Sequence, residues 1–146
     1  RTYTSFLKRA EWTIMTGLDT GFFVELLKGN DQAVEKWKNI VDGETDAVVC
    51  SLTIYELKRL SLKGGLAIAA VQLTIKAIMA VCQVVWIDDC ELLDAAARLS
   101  HGNDIPAVDA IILASLLQAG VRTIYSTDRH LLSFIKKGVG IINLLA

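Results

Sequence analysis

The chain has 146 residues, room for one domain of ordinary size. Apolar residues make up 53%, and ten glycines raise the total to about 60%, above the usual ~45–50%. Disorder is thereby excluded, and a well-filled core or a subunit interface is implied. Fifteen lysines and arginines stand against sixteen acids, so the chain is no basic nucleic-acid coat, and any nucleic-acid site is a local patch. The charge is uneven. Residues 84–109 hold six acids against the single Arg98, a local net of −5, whereas residues 122–146 carry a net of +3.

In chain order, residues 12–18 read as a strand ending at Asp19. A helix over 22–27 follows and stops near Gly29 and Asn30. Residues 32–41 form a second helix, with Ala33, Val34, Trp37, Ile40 and Val41 at helical spacing. Residues 47–50 are a short buried strand bounded by Asp42, Gly43 and Asp46. Ser51 suits an N-cap for a helix over 52–62 that ends at Gly64 and Gly65.

Residues 66–82 form the most apolar helix. It is short for a membrane span, and Lys76 inside it is costly in lipid. Its apolar residues cover almost every face, so a homodimer is expected in which this helix, or its neighbour 52–62, meets its symmetry mate. A strand over 84–87 and a helix over 89–100, stopped by Gly102, come next. Pro106 opens a helix running to Ala119 and closed by Gly120. A strand over 122–126, a helix over 129–136 and a strand over 139–143 complete the chain. Short apolar strands alternating with helices imply one α/β domain with a parallel sheet covered on both faces.

Cys50, Cys82 and Cys90 lie in apolar runs without disulfide or zinc spacing, so reduced core cysteines and an intracellular, cytoplasmic setting are expected. Trp12, Trp37 and Trp86 read as core residues. No signal-peptide pattern opens the chain. Met15 suits a natural start, which makes 1–14 an expected upstream or added extension and 15–146 the domain.

Four acids fall where α/β folds place their sites, beyond the carboxyl ends of strands. Asp19 ends the first strand, and Glu56 lies on the helix after the second. Asp109 lies early in the helix feeding the fourth strand, and Asp128 closes that strand. Each alone has an ordinary reading: Asp19 and Asp128 as caps, Glu56 as an exposed partner of Arg59, Asp109 as a favourable charge at a helix start. Asp19, however, sits on a buried strand and Asp109 among apolar neighbours, with no adjacent lysine or arginine. Buried carboxylates need a partner, and clustered oxygen ligands suit Mg²⁺ or Mn²⁺. Asp104, just before Pro106, competes with Asp109 as the third acid. It reads instead as the N-cap of that helix, while Asp109 shares a face with Ile105, Pro106, Ile112 and Leu113.

Four stretches then carry a resemblance: LDTGFF at 18–23, TIYEL at 53–57, VDAIILA at 108–114 and TIYSTD at 123–128. In this order and spacing, from about Met15 to the C-terminus, the chain resembles the PIN-domain ribonucleases, above all the toxins of VapBC-type toxin–antitoxin systems. The resemblance implies a sheet of order 3-2-1-4-5. It also implies one or two Mg²⁺ or Mn²⁺ ions ringed by Asp19, Glu56, Asp109 and Asp128, with Thr127, and less strongly Thr20, orienting a carboxylate or bound water. The implied activity is endoribonuclease cleavage of RNA by a metal-activated water, with a small antitoxin as partner.

Arg59 and Arg129 are candidate phosphate contacts. Lys58 fits an ordinary solvated charge better, and His101 and His130 are assigned no catalytic role. A response-regulator receiver is disfavoured by the single Asp19 and by the lack of lysine in 139–143. A haloacid-dehalogenase-type phosphatase is disfavoured because D-x-D is absent at 19–21. The remaining rival is a PIN-like module that binds RNA or protein without cutting.

Overall fold

The computed structural model describes residues 15–146; the expected strand residues Trp12 to Ile14, and the extension before them, lie outside that range. Five strands form one parallel sheet of order β3-β2-β1-β4-β5: β1 (Met15–Leu18), β2 (Asp46–Cys50), β3 (Gln83–Val85), β4 (Thr123–Ser126) and β5 (Gly140–Asn143). Between them run α1 (Thr20–Leu27), α2 (Asp31–Val41), α3 (Ser51–Leu62), α4 (Ile68–Val81), α5 (Cys90–Asn103), α6 (Ala107–Gln118) and the short α7 (Arg129–Leu132).

The sheet is buried on both faces because its strands are apolar at almost every central position. In β2, Val48 and Cys50 point to one face, where α5 and α6 supply Leu92, Ala96, Ile112 and Leu113. Ala47 and Val49 point to the other, where α1–α4 supply Phe22, Phe23, Ile40, Leu57, Val71 and Ile78. Trp37 joins Phe22, Phe23 and Tyr125 in an aromatic cluster with centroids 5.2–6.4 Å apart, as its core reading requires. Among the described residues no helix is long and apolar enough to cross a membrane.

Several local expectations are corrected. Cys50, not Ser51, occupies the N-cap of α3, and no side chain caps that helix. β3 stops at Val85 because β2, its partner, ends opposite it at Cys50. Trp86 therefore leaves the sheet and stands 56% exposed instead of in the core. Cys90 is also exposed, as the first residue of α5. α5 runs through Gly102 to Asn103, and α7 ends after one turn, where the Ser133 hydroxyl donates to the His130 carbonyl at 2.9 Å.

Candidate active site

β1 and β4 are neighbours, but the chain leaves β1 towards β2 and β4 towards β5. Their carboxyl ends therefore face the crevice at which strand order reverses, where ligands of α/β sheets bind. Leu18 pairs with Tyr125, so the next residues, Asp19 and Ser126, lie side by side. A cavity of about 190 Å³ opens there. Asp19, Glu56, Asp109 and Asp128 all line it, together with Thr20, Gly21 and Thr127, over an apolar floor of Ile112 and Leu131. Among the described residues the lining contains no lysine, arginine or histidine. Two larger hollows, about 610 and 480 Å³, flank α5; the first mixes Glu91 with Arg98 and Lys136, and the second has His101 as its one ionisable residue.

Asp19 is 4% exposed. As the N-cap of α1 it accepts the Phe22 N–H at 3.0 Å on Oδ1, and on Oδ2 it accepts the Ser126 hydroxyl. Burial raises its pKa to about 6. Those two hydrogen bonds oppose the rise, and repulsion from Asp128 and Glu56 adds to it. Asp128 caps α7, accepting the His130 N–H at 2.8 Å, and its own N–H donates to Ser126 Oγ at 2.9 Å.

Glu56 is half-buried, its Oε1 accepting the Thr20 hydroxyl at 2.5 Å; Thr20 Oγ1 also lies 3.2 Å from that of the buried Thr53. Asp109, in the first turn of α6, is likewise half-buried. Its pKa rises to about 7, through burial first, then a hydrogen bond to Asp128, then repulsion by Asp128, Glu56 and Asp19.

The structure thus brings together all four expected acids and both expected threonines. It separates Asp104, which is exposed and caps the C-terminus of α5 with left-handed φ of 54°. Because α5 continues past Gly102, Asp104 terminates a helix instead of starting one, in a conformation that aspartate tolerates better than most residues. Pro106 takes the N-cap of α6. Arg59, Lys58 and Arg129 are exposed and lie outside the cavity lining.

Ser126 escaped the sequence reading, which took its neighbour Thr127 as the orienting hydroxyl. Its signal was alternation: Ser126 shares a strand face with the buried Ile124, and a hydroxyl in such a slot needs a partner. Thr127 depends on a different neighbour. A Cβ built on Gly21 would lie 2.0 Å from Thr127 Oγ1, so only glycine at 21 lets that hydroxyl reach the start of α1.

Among the described residues no three His, Cys, Asp or Glu side chains stand grouped so as to hold a metal ion in their present positions. The donor chemistry nevertheless fits a hard divalent cation, because four carboxylates share a cavity with no cationic side chain among the described residues, and two of them hold protons unusually tightly.

A family model described as PIN domain matches residues 17–137. No curated protein matches the chain in sequence. Among solved structures, the chain is similar to a toxin–antitoxin complex from Klebsiella pneumoniae, with a TM-score of 0.67, 16% identity and coverage of 88% of this chain and 97% of that one. It is similar to VapBC2 from Rickettsia felis bound to a DNA fragment from their promoter, with a TM-score of 0.67, 11% identity and coverage of 89% and 98%. It is also similar to VapC20 from Mycobacterium tuberculosis, described as a sarcin–ricin loop cleaving toxin, with a TM-score of 0.60, 20% identity and coverage of 82% and 96%.

Proposed function

The chain belongs to the PIN-domain family, and from that premise we propose that it is a Mg²⁺- or Mn²⁺-dependent endoribonuclease, the toxin of a toxin–antitoxin pair. One observation carries the reading: four carboxylates from four separate segments line one cavity at the strand-order reversal, with no basic side chain among the described residues to neutralise them. A bound divalent ion supplies an acidified water and neutralises charge on the phosphate and leaving oxygen.

The protein's own part is to hold the ligands. Ser126 fixes Asp19 and the backbone of Asp128 at once, and Thr20 fixes Glu56. Among the described residues Asp109 has only another acid, Asp128, as its side-chain partner, and so it is the carboxylate with most to gain from a cation. Arg129, exposed and next in sequence to Asp128, is the proposed phosphate contact.

The toxin reading draws on the structural neighbours, which are toxin–antitoxin complexes, and an antitoxin protein is the proposed partner. A second copy is the other: α4 turns Ile68, Leu73 and Met79 outward, and sedimentation of the purified protein should give a dimer. The deciding experiment is cleavage of total RNA by purified protein with and without Mn²⁺. Cleavage should require the metal and vanish in Asp19→Asn. No cleavage by the wild type, with RNA still bound, favours the non-cutting module.

A further inference from the structure

On the nuclease reading the carboxylate cavity takes a phosphodiester, and among the described residues no aromatic side chain lines it to receive a base. The helix that contributes Glu56 supplies what is missing. Tyr55 precedes Glu56, about 100° round α3 from it, and is 56% exposed. Lys58, Arg59 and Leu62 follow at i+3, i+4 and i+7, so with Tyr55 they form one outward stripe, all exposed and ending at Leu62, which is 81% exposed. Among the described residues no ion pair engages Lys58, Arg59 or the next cation, Lys63.

The surrounding charge has a direction. Residues 47–87, which carry α3 and α4, hold Lys58, Arg59, Lys63 and Lys76 against Glu56 alone, a net of +3 in a chain whose total is −1. Residues 84–109, which carry α5, hold −5, with Asp109 of the cavity among them, and residues 122–146, which carry β4 and β5, hold +3. A polyanion leaving the cavity is repelled by the α5 segment and drawn to either positive segment, and of the two it is α3 that sets an exposed aromatic ring, Tyr55, beside its cations.

We propose that the Tyr55–Lys58–Arg59 stripe is the docking track for an unpaired RNA strand, Tyr55 stacking a base and the two cations holding the flanking phosphates. The inference rests on the nuclease reading for its choice of RNA. A single exposed ring stacks only with a base freed from a duplex, so the track selects single-stranded over paired RNA. Continuity with Glu56 sets the register: the stacked base belongs to a nucleotide next to the phosphate in the cavity.

The test is binding of a short, unpaired fluorescent oligoadenylate to the full chain, by anisotropy in EDTA at low salt and neutral pH, so that nothing is cut. Tyr55→Leu should weaken binding about tenfold while Tyr55→Phe, which keeps the ring, stays near wild type. The Lys58→Ala/Arg59→Ala variant should flatten the salt dependence by about 0.7 in log–log slope for each phosphate that is no longer neutralised. Binding of a duplex RNA should not respond to Tyr55→Leu.

Wild-type affinity in Tyr55→Leu overturns the proposal. So does a Tyr55→Leu or Leu62→Glu variant that changes the sedimentation state and leaves oligoadenylate binding intact, since the stripe is then a protein contact. Cleavage in Mn²⁺ is read separately. An oligomer held through Tyr55 but never cut leaves the track standing and removes the nuclease reading. Cleavage that ignores Tyr55 does the reverse.

Discussion

Asp19 and Asp109 face the same cavity, and burial raises the pKa of both, yet they are built into the molecule differently. Asp19 is almost fully buried at the end of β1, with both oxygens committed, one to the α1 backbone and one to Ser126. Asp109 rides on α6, half-exposed, and leans on Asp128. The first acid is part of the frame and the second is set against it. Substitutions at these two positions should therefore separate folding from function.

The largest expected effect is at Asp109. Asp109→Asn should lower metal-dependent cleavage by more than the roughly 10–100-fold typical of losing a supporting group, while its metal-free thermal melt stays close to wild type near pH 4 and rises above it towards neutral pH, where the raised pKa of Asp109 costs the wild type stability. Asp19→Asn should lose activity as completely but also shift the metal-free melt, because it alters a helix cap and a buried hydrogen bond together. Two variants with matching melts would erase the distinction.

Ser126→Ala tests the frame itself. It strips Asp19 of one donor and removes the acceptor of the Asp128 N–H. A loss of about 1–3 kcal/mol in denaturant unfolding is expected, with a fall in activity of about 10–100-fold. Thr127→Val should cost less stability, because among the described residues Thr127 ties no carboxylate into the frame as Ser126 does.

The pH dependence of metal-free stability sharpens the comparison further. Asp19 titrates at 3.8 unfolded and about 6 folded, so the folded protein holds the proton more tightly. That favourable contribution is complete below pH 3.8 and is lost as pH rises through 6, by up to about 3 kcal/mol. Asp109 acts in the same direction at higher pH. Melts without metal should thus weaken from about pH 4 to about pH 7, and Mn²⁺ should flatten the trend. At the small end, Asp104→Asn should change neither stability by more than about 0.5 kcal/mol nor activity, because asparagine also accepts the left-handed cap.

Much of the fold was legible because buried parallel strands announce themselves as short apolar runs between helical periods. The four acids were legible because each follows or precedes such a run. What escaped depended on how distant segments meet. Trp86 reads as strand until β2 is seen to end opposite Val85. Asp104 reads as an N-cap until α5 is seen to pass through Gly102. Ser126 gains its meaning from Asp19, more than a hundred residues away, and Thr127 its room from Gly21. Local propensity also misplaced the cap of α3, where Ser51 is already helical. The strand order came with the family resemblance, since spacing alone does not determine which parallel strands are neighbours.

Calorimetric titration of Mn²⁺ into the full chain near pH 6 tests most directly whether these four carboxylates form a cation site. Saturable binding is predicted, with protons released because Asp19 and Asp109 still hold them there, a release that fades towards pH 8. Asp109→Asn should weaken the binding severely and remove part of the proton release. A wild-type protein that takes up no Mn²⁺, or an Asp109→Asn variant that binds it unchanged, would contradict the account.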